Sequence, residues 1–383
     1  MTSDSPFSIR FADSEPLLCP QVCVVGVGEA GGCALSHMLE QGLEIATSVC
    51  VSTDSRALAS SWAKTHVILA ADTPRGSGVS PAHAERMALD QRLELSEALE
   101  GMDLVFVVAG LGGATGTGVA PVVAELARDQ GALAVCVVTL PFDFEGRRRS
   151  DLAVRGVSAC EAASDTVICI SNDRLADHAE DLPARDAYRL ADLAMHDAIH
   201  GMVELLRGGG LLNVDFSDLA TILRGAGRAF IGRGRATGEH RAFQATEQAL
   251  TSGLLSHASP DGARAALVHV TAGPSLRLSE VRRVKAWAAE QTHEDANIII
   301  GARAEDHLEE SLEVLVIATG LEATGTSVRA ATLTPKSRVE MLRSESGTRE
   351  ARIPGSDHVL VRRGGSEPPS SASLALRFAG DGE

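Results

Sequence analysis

Lysine is almost missing from this chain. Lys64, Lys285 and Lys336 are the only three in 383 residues, and none follows a glycine. That excludes a Walker-type phosphate loop, whose lysine reaches the terminal phosphates. Positive charge is short throughout: 35 Lys and Arg stand against 51 Asp and Glu, a formal net charge of −16. An acidic surface of this kind argues against nucleic acid as a partner, because phosphate backbones bind basic surfaces. No C-x-x-C pair occurs among the seven cysteines, so they read as small buried residues of a reducing compartment. No apolar run is long enough for a membrane helix and no signal-peptide pattern is visible, so no membrane insertion and a cytoplasmic location are expected. Repeats of solenoid period are absent as well.

Glycine is abundant, and it is clustered. Residues 110–118 read Gly-Leu-Gly-Gly-Ala-Thr-Gly-Thr-Gly, directly after the apolar run 104–109. Glycines let backbone N–H groups approach an anion, and the helix expected over 119–130 adds its N-terminal partial charge. Without a lysine, phosphate charge must be met by amides, hydroxyls, arginine or a metal ion. A second cluster, Gly26-Val-Gly28-Glu-Ala-Gly31-Gly32, follows the strand pattern 21–25. Alone it matches the G-x-G-x-x-G dinucleotide fingerprint, with Asp54 at the end of the next strand. A dinucleotide enzyme has no need of the second cradle at 110–118. Two phosphate loops at neighbouring strand ends suit a nucleoside triphosphate.

Apolar runs at 21–26, 46–51, 104–109, 132–139 and 166–171 alternate with helical stretches, which predicts an α/β parallel-sheet nucleotide-binding domain over 21–185 after a flexible arm, 1–20. One long helical pattern, 186–207, ends at Gly208-Gly-Gly210. Helices at 217–231 and 239–252, strands at 264–271, 296–300 and 312–319, and a helix at 279–291 make a smaller α/β domain over 208–330. From 331 to 383 the pattern fades into Arg, Ser, Gly and Pro and reads as a largely disordered tail.

The loop at 110–118 is similar to the tubulin signature. Phe144–Arg149, Ile170–Asp173, Asp186–Asp192, Leu212–Asp218, Ala236–Glu239 and Ile317–Gly320 resemble FtsZ, the bacterial tubulin homologue, in the family's order. The resemblance covers about 21 to 321. It implies a protein that binds GTP or GDP with Mg²⁺, polymerises head to tail with copies of itself and hydrolyses GTP at the contact, in a cytoskeletal or cell-division role. By the same resemblance Gly112, Gly113, Thr115, Gly116, Thr117 and Gly118 hold the phosphates and Gly28, Gly31 and Gly32 close over them. Glu145 and Arg149 meet the ribose, Asn172 and Asp192 the guanine edge, and Tyr188 stacks on the base. Asp215 and Asp218, with Asn213 alongside, act on the nucleotide of the next copy. Physical reasoning agrees, since a helix of about 20 residues spans about 30 Å and separates these acids from their own pocket. No protein-bound metal site is expected.

Plainer readings stand beside these. Asp215 and Asp218 also suit a turn and an N-cap before 219–223. His196 and His200, at i,i+4, read as helix-surface histidines without a third metal ligand. Arg147–Arg149 reads as a solvated basic face, with only Arg149 assigned to ligand. The chain departs from the family at Glu29 and Ala30 in the first loop, at Cys33 where asparagine is usual, at Ala114 in the signature, and at Asp72 near the terminal phosphate, with Arg75 at hand to offset it. Glu29 is expected to point outward. These departures support a divergent paralogue. The alternative is a nucleotide-binding filament protein, or a regulator of a sister FtsZ, with little hydrolysis; an NAD-dependent oxidoreductase is more remote.

Overall fold

The computed structural model describes residues 20–69, 80–177, 183–251, 260 and 262–321, and three short strands beyond them. Strands β1 (Val22–Val27), β2 (Thr47–Ser52), β3 (Thr65–Ile68), β4 (Leu104–Gly110), β5 (Leu133–Leu140) and β6 (Thr166–Ser171) pair in parallel, in the order β3-β2-β1-β4-β5-β6. β1, β4 and β6 are apolar on nearly every residue because both sheet faces are covered. Within β4, Phe106 points to one face and Val107 to the other. On the first face Phe106 joins Leu35 and Met38 of helix α1 (Gly28–Glu40). On the second, Val107 joins residues of helices that follow α2 (Ser55–Ala59): Met87 of α3 (Pro81–Asp90), Leu95 of α4 (Arg92–Ala98), Val123 of α5 (Ala114–Asp129) and Val157 of α6 (Arg147–Ala163).

After the short helix α7 (Asn172–Asp177), the long helix α8 (Ala184–Leu205) packs Leu193, Met195 and Met202 into the same core as Phe106. Helix α9 (Phe216–Leu223) follows, and then strand β7 (Gly227–Thr237), helix α10 (Arg241–Thr251), strand β8 (Ala265–Ala272), helix α11 (Leu278–Glu290) and strands β9 (Asn297–Ala304) and β10 (Ser311–Thr319). β10 lies antiparallel between β7 and β8, and β9 runs parallel to β8 at the edge. β7 also meets β6 at Thr166↔Gly227 and Val167↔Arg228, so one sheet of ten strands passes through both parts.

Several expectations are corrected. The helix expected over 217–231 stops at Leu223, and 227–237 is the strand that joins the two halves. Gly225 and Gly227 both take positive φ there, the punctuation that ends the helix. Its polar alternate residues, Arg228, Arg233 and Arg235, hide the strand pattern, because each pairs with a carboxylate. The strand at β3 was not expected; only Val67 of its four residues is buried. α5 begins at Ala114, inside the glycine loop, and not at Val119. β9 runs four residues further than expected. In the stretch 331–383 the described residues form strands β11 (Arg349–Arg352), β12 (His358–Arg362) and β13 (Leu376–Phe378), paired antiparallel in that order. Among the described residues no helix is long and apolar enough to cross a membrane.

Candidate functional site

β1 and β4 are neighbours, and the strand order reverses between them. Such a switch point opens a crevice at the carboxyl ends of the strands. Both glycine loops end there: Gly28 opens α1 directly after β1, and Gly112 and Gly113 lead from β4 into α5. Neither helix has a side-chain N-cap; Val27 and Gly113 occupy the cap positions. Two adjacent helix N-termini thus present backbone N–H groups with no side chain to satisfy them, a receptor for an anion.

The glycines divide by what they do. Gly28 (φ +72°) and Gly112 (φ +95°) hold a left-handed backbone that other residues rarely adopt. Gly31, Gly116 and Gly118 are packing glycines: a methyl group there would overlap the carbonyl oxygens of Val108, Gly110 and Pro81. At Gly32 it would come within 2.9 Å of the Cys50 sulfur. Only Gly113 among these has open space where a Cβ would stand. The cradle therefore points its free volume at the helix end from Gly113. The hydroxyls are fixed: Thr117 Oγ1 accepts from Gly112 N (2.9 Å), and the Thr115 and Thr53 hydroxyls lie 3.0 Å apart.

The opposite side of the crevice is built by β5, β6 and α8. Asn172, which opens α7, is 4% exposed, and its Oδ1 is buried without a hydrogen-bond partner. A buried amide oxygen in that state costs about 1–3 kcal/mol unless something donates to it. Tyr188 is 43% exposed and meets Phe142 edge-on at 5.1 Å between ring centroids. Phe142 is stacked on exposed Phe144 at 4.9 Å. Glu145 and Arg149 form an ion pair, and Glu145 Oε1 also accepts from Phe142 N (3.0 Å). Asp192 is bonded to His37 Nδ1 at 2.7 Å. Burial pushes its carboxyl above the usual range, and His37 pulls it partly back. His37 was missed by sequence reasoning, and nothing in its neighbours in the chain signals it: 155 positions separate it from Asp192.

Two departures have definite places. Glu29 lies exposed in the first turn of α1. Cys33 is exposed as well, which corrects the expectation of uniformly buried cysteines; Cys23, Cys50, Cys136, Cys160 and Cys169 are buried. Cys33 follows the helix face of Glu29 toward Asp192, and partial desolvation of its sulfur together with those two carboxylates raises its thiol pKa. The helix-surface reading of the histidines also fails for His196, which is 6% exposed and stacks on His200 at 5.1 Å. α8 runs through the core, so little of its surface faces water. Asp72 and Arg75 lie outside the described residues, as does Cys19.

The acidic segment sits beyond the other end of α8. At 1.5 Å per residue, the 22 residues of that helix span about 33 Å. Asp215 is the N-cap of α9: its Oδ1 accepts from Asp218 N (2.9 Å) and from Ser217 Oγ (2.6 Å). Asp218 Oδ2 accepts from Asp215 N (3.1 Å), completing a reciprocal capping box. The Ser217 hydroxyl and the Asp218 amide hold the Asp215 carboxyl below its ordinary value. Asn213 Oδ1 accepts from Gly210 N (2.7 Å). The structural reading of these residues as turn and cap is therefore correct, and it leaves Asp215 and Asn213 exposed, beside exposed Leu211 and Leu212. Asp192 is tied to α1 through His37, Tyr188 touches Phe142 beside Glu145, and the Gly112 turn lies against the Arg149 carbonyl, whereas Asn213, Asp215 and Asp218 follow the far end of α8.

Comparison with known proteins identifies two segments of the chain. Residues 21–180 match the family model described as the Tubulin/FtsZ family GTPase domain, and residues 227–322 match the FtsZ family C-terminal domain. An FtsZ dimer from M. jannaschii is 37% identical over 79% of this chain and 88% of its own, with a TM-score of 0.72. A GTPgS-bound protofilament of CetZ2 from Haloferax volcanii shares the fold at 23% identity, TM-score 0.68, over 79% of this chain and 94% of that one. This chain therefore belongs to the FtsZ/tubulin family of cytoskeletal GTP-binding proteins.

Proposed function

We propose that this protein assembles head to tail and hydrolyses GTP only where two copies meet. The observation that carries the reading is that Tyr188 and Asp192 stand in the first turns of α8, a helix about 33 Å long, whereas the exposed Asp215/Asn213 loop follows its other end. A heterologous contact with no closing rotation makes a filament. It would lay the acidic loop of one copy over the crevice of the next, with Leu211 and Leu212 as apolar contact.

In this reading the amides at the starts of α1 and α5 bind the phosphates, and Gly113 leaves room for them. Asn172 and Asp192 accept from the guanine edge, Tyr188 takes the base on its ring, and Glu145 with Arg149 borders the ribose. Mg²⁺, a hard cation, would balance phosphate charge, with the paired hydroxyls of Thr53 and Thr115 the oxygen ligands on offer. Asp215 and Asp218 orient and activate the attacking water from the neighbouring copy, and Asn213 shapes the loop that carries them. Catalysis rests on positioning and on stabilising phosphoryl charge. The partner is another copy, or a sister FtsZ, in the cytoplasm, in division or a related cytoskeletal task.

Turnover should rise faster than linearly with protein concentration. Asp218→Ala should lower it about 100-fold or more per sedimented subunit, a loss in the range for general acid–base groups. Turnover proportional to protein concentration and indifferent to that change would refute the reading. A second reading, a filament with slow hydrolysis, is favoured by Glu29, whose carboxylate stands on the first turn that is to receive phosphate. Phosphate release that keeps pace with sedimentation would exclude it.

A further inference from the structure

The acidic loop is mounted on the edge strand β9, and the mount is unusually tight. Leu212 and Ala302 exchange both backbone hydrogen bonds, each 3.0 Å. One residue before Ala302, a Cβ at Gly301 would stand 2.6 Å from Val214 Cγ2 and 2.5 Å from His269 Cδ2. His269 is opposite Gly301 in the β8–β9 register. Val214 lies between Asn213 and Asp215 and is buried. It enters the main core alongside Leu219 of α9. The far end of α9 is fixed too: the Thr166 and Thr319 hydroxyls donate to the carbonyls of Leu223 (2.5 Å) and Ile222 (3.0 Å). The acids therefore hang between two anchors, and the one nearer to them is the Gly301–His269 surface under Val214.

Resting on the proposed head-to-tail hydrolysis, we propose that Gly301 and His269 are positioning residues for that reaction: they form a shelf that sets the height at which Asp215 and Asp218 are offered to the neighbouring copy. Neither touches nucleotide. The absence of a side chain at 301 lets Val214 descend onto the strand, and the imidazole ring fixes how far. The ring is uncharged near neutral pH, because burial and the Arg303 guanidinium push its pKa down to about 4. A neutral flat ring packs against a valine methyl without needing a counter-ion. The Thr271 hydroxyl lies 3.3 Å from His269 Nδ1 and steadies the ring.

The test uses the full chain with Gly301→Ala, His269→Ala, the double change, and Asp218→Ala as reference. Nucleotide affinity is measured by fluorescent GDP titration, and GTP turnover is measured per sedimented subunit. Gly301→Ala lifts the loop and should cut turnover about 10- to 100-fold, the sensitivity expected for sub-ångström to ångström misplacement, with GDP affinity within about twofold of the parent. His269→Ala opens the shelf and should lower turnover less. In the double change the vacated ring space lets the Val214 side chain move off the new methyl, so turnover should recover above that of Gly301→Ala alone. A mere folding defect would worsen in the double change. A mixing experiment adds a second readout: Gly301→Ala subunits have sound pockets, so an Asn172→Ala chain with a sound loop should restore turnover when the two are mixed. If Gly301→Ala fails to fold, His269→Ala in the same mixture decides. Unchanged turnover in both single variants, or GDP affinity falling in step with turnover, overturns the shelf while Asp218→Ala remains inactive. Should Asp218→Ala also turn over normally, the head-to-tail reading itself has failed.

Discussion

The two ends of α8 are built by different means. At the crevice, structure is made by backbone against backbone. Gly31, Gly116 and Gly118 let a helix or a loop lie directly on a neighbouring carbonyl, and few side-chain bonds are needed. Beyond the other end, glycines such as Gly232, Gly234 and Gly273 pack as closely on backbone, but side chains add a second set of ties: the Asp215–Asp218 box, the Thr166 and Thr319 anchors and, deeper, the Arg241 hub. The difference teaches where each half is vulnerable. A close-packed backbone tolerates no added atom, whereas a side-chain hub tolerates no lost partner.

The hub offers the largest effect. Arg241 donates to both Glu280 oxygens (2.8 and 3.0 Å), to Ser275 Oγ and to the Glu310 carbonyl, and tethers α10 to α11. Glu280→Ala strands a buried guanidinium, and unfolding by denaturant should show a loss of about 3–5 kcal/mol. Arg241 also holds the Glu280 carboxyl below its ordinary pKa. That contribution is present above the unfolded carboxylate value and is lost as pH falls through the folded one, so the wild type should lose stability on acidification more steeply than Glu280→Gln. A variant as stable as the parent would remove the contrast between the halves.

The backbone half is probed by a pair of glycines. Gly116→Ala drives a methyl into the Gly110 carbonyl and should cost about 1–3 kcal/mol of stability along with nucleotide affinity. Gly113→Ala meets nothing in the protein, so stability should hold while affinity falls, because the methyl takes up phosphate space. Thermal melting with and without GDP separates the two. If Gly113→Ala binds normally, the phosphates do not lie where the uncapped end of α5 points.

This contrast also marks what the sequence makes legible. Close backbone packing needs glycine, and glycine at fixed spacing is visible as 26–32 and 110–118. The parallel strands were visible because burial on both faces makes them continuously apolar, as in β4 and β6. β7 was not, since Arg233 and Arg235 interrupt it to pair with Glu313 on β10, 80 and 78 positions away. His37, Gly301 and His269 were equally hidden. Their partners are distant in the chain, and a single glycine or histidine carries no pattern. The acidic pair Asp215 and Asp218 was legible, but its capping role became definite only with the reciprocal box in view.

Asn172 sharpens the comparison further, as a side chain of the crevice that has no protein partner for its Oδ1. Asn172→Ala removes a buried oxygen that the proposed function assigns to the guanine, so GDP affinity should fall about 5- to 100-fold, while stability without nucleotide holds or rises slightly. A drop in apo stability would mean that the amide serves the fold and not the base.

The smallest expected effect is a shift in pH dependence, and it tests the His37–Asp192 pair of the crevice, whose members stand 155 positions apart. In the proposed function Asp192 accepts from guanine as a carboxylate. Burial raises its pKa above the usual carboxylate range, and His37, followed by Arg189, opposes that rise. GDP affinity should therefore be full near neutral pH and should be lost on acidification sooner than an ordinary carboxylate would allow. His37→Ala removes the principal opposing group, so the midpoint of that loss should move to higher pH. His37→Gln keeps a hydrogen-bond donor without the charge and should fall between the two. Glu40 and His196 border the same small hollow and stay unchanged in all three proteins, so their contribution cancels. A midpoint that stays fixed, or moves down, in His37→Ala would show that the crevice, like its glycines, is governed by backbone alone.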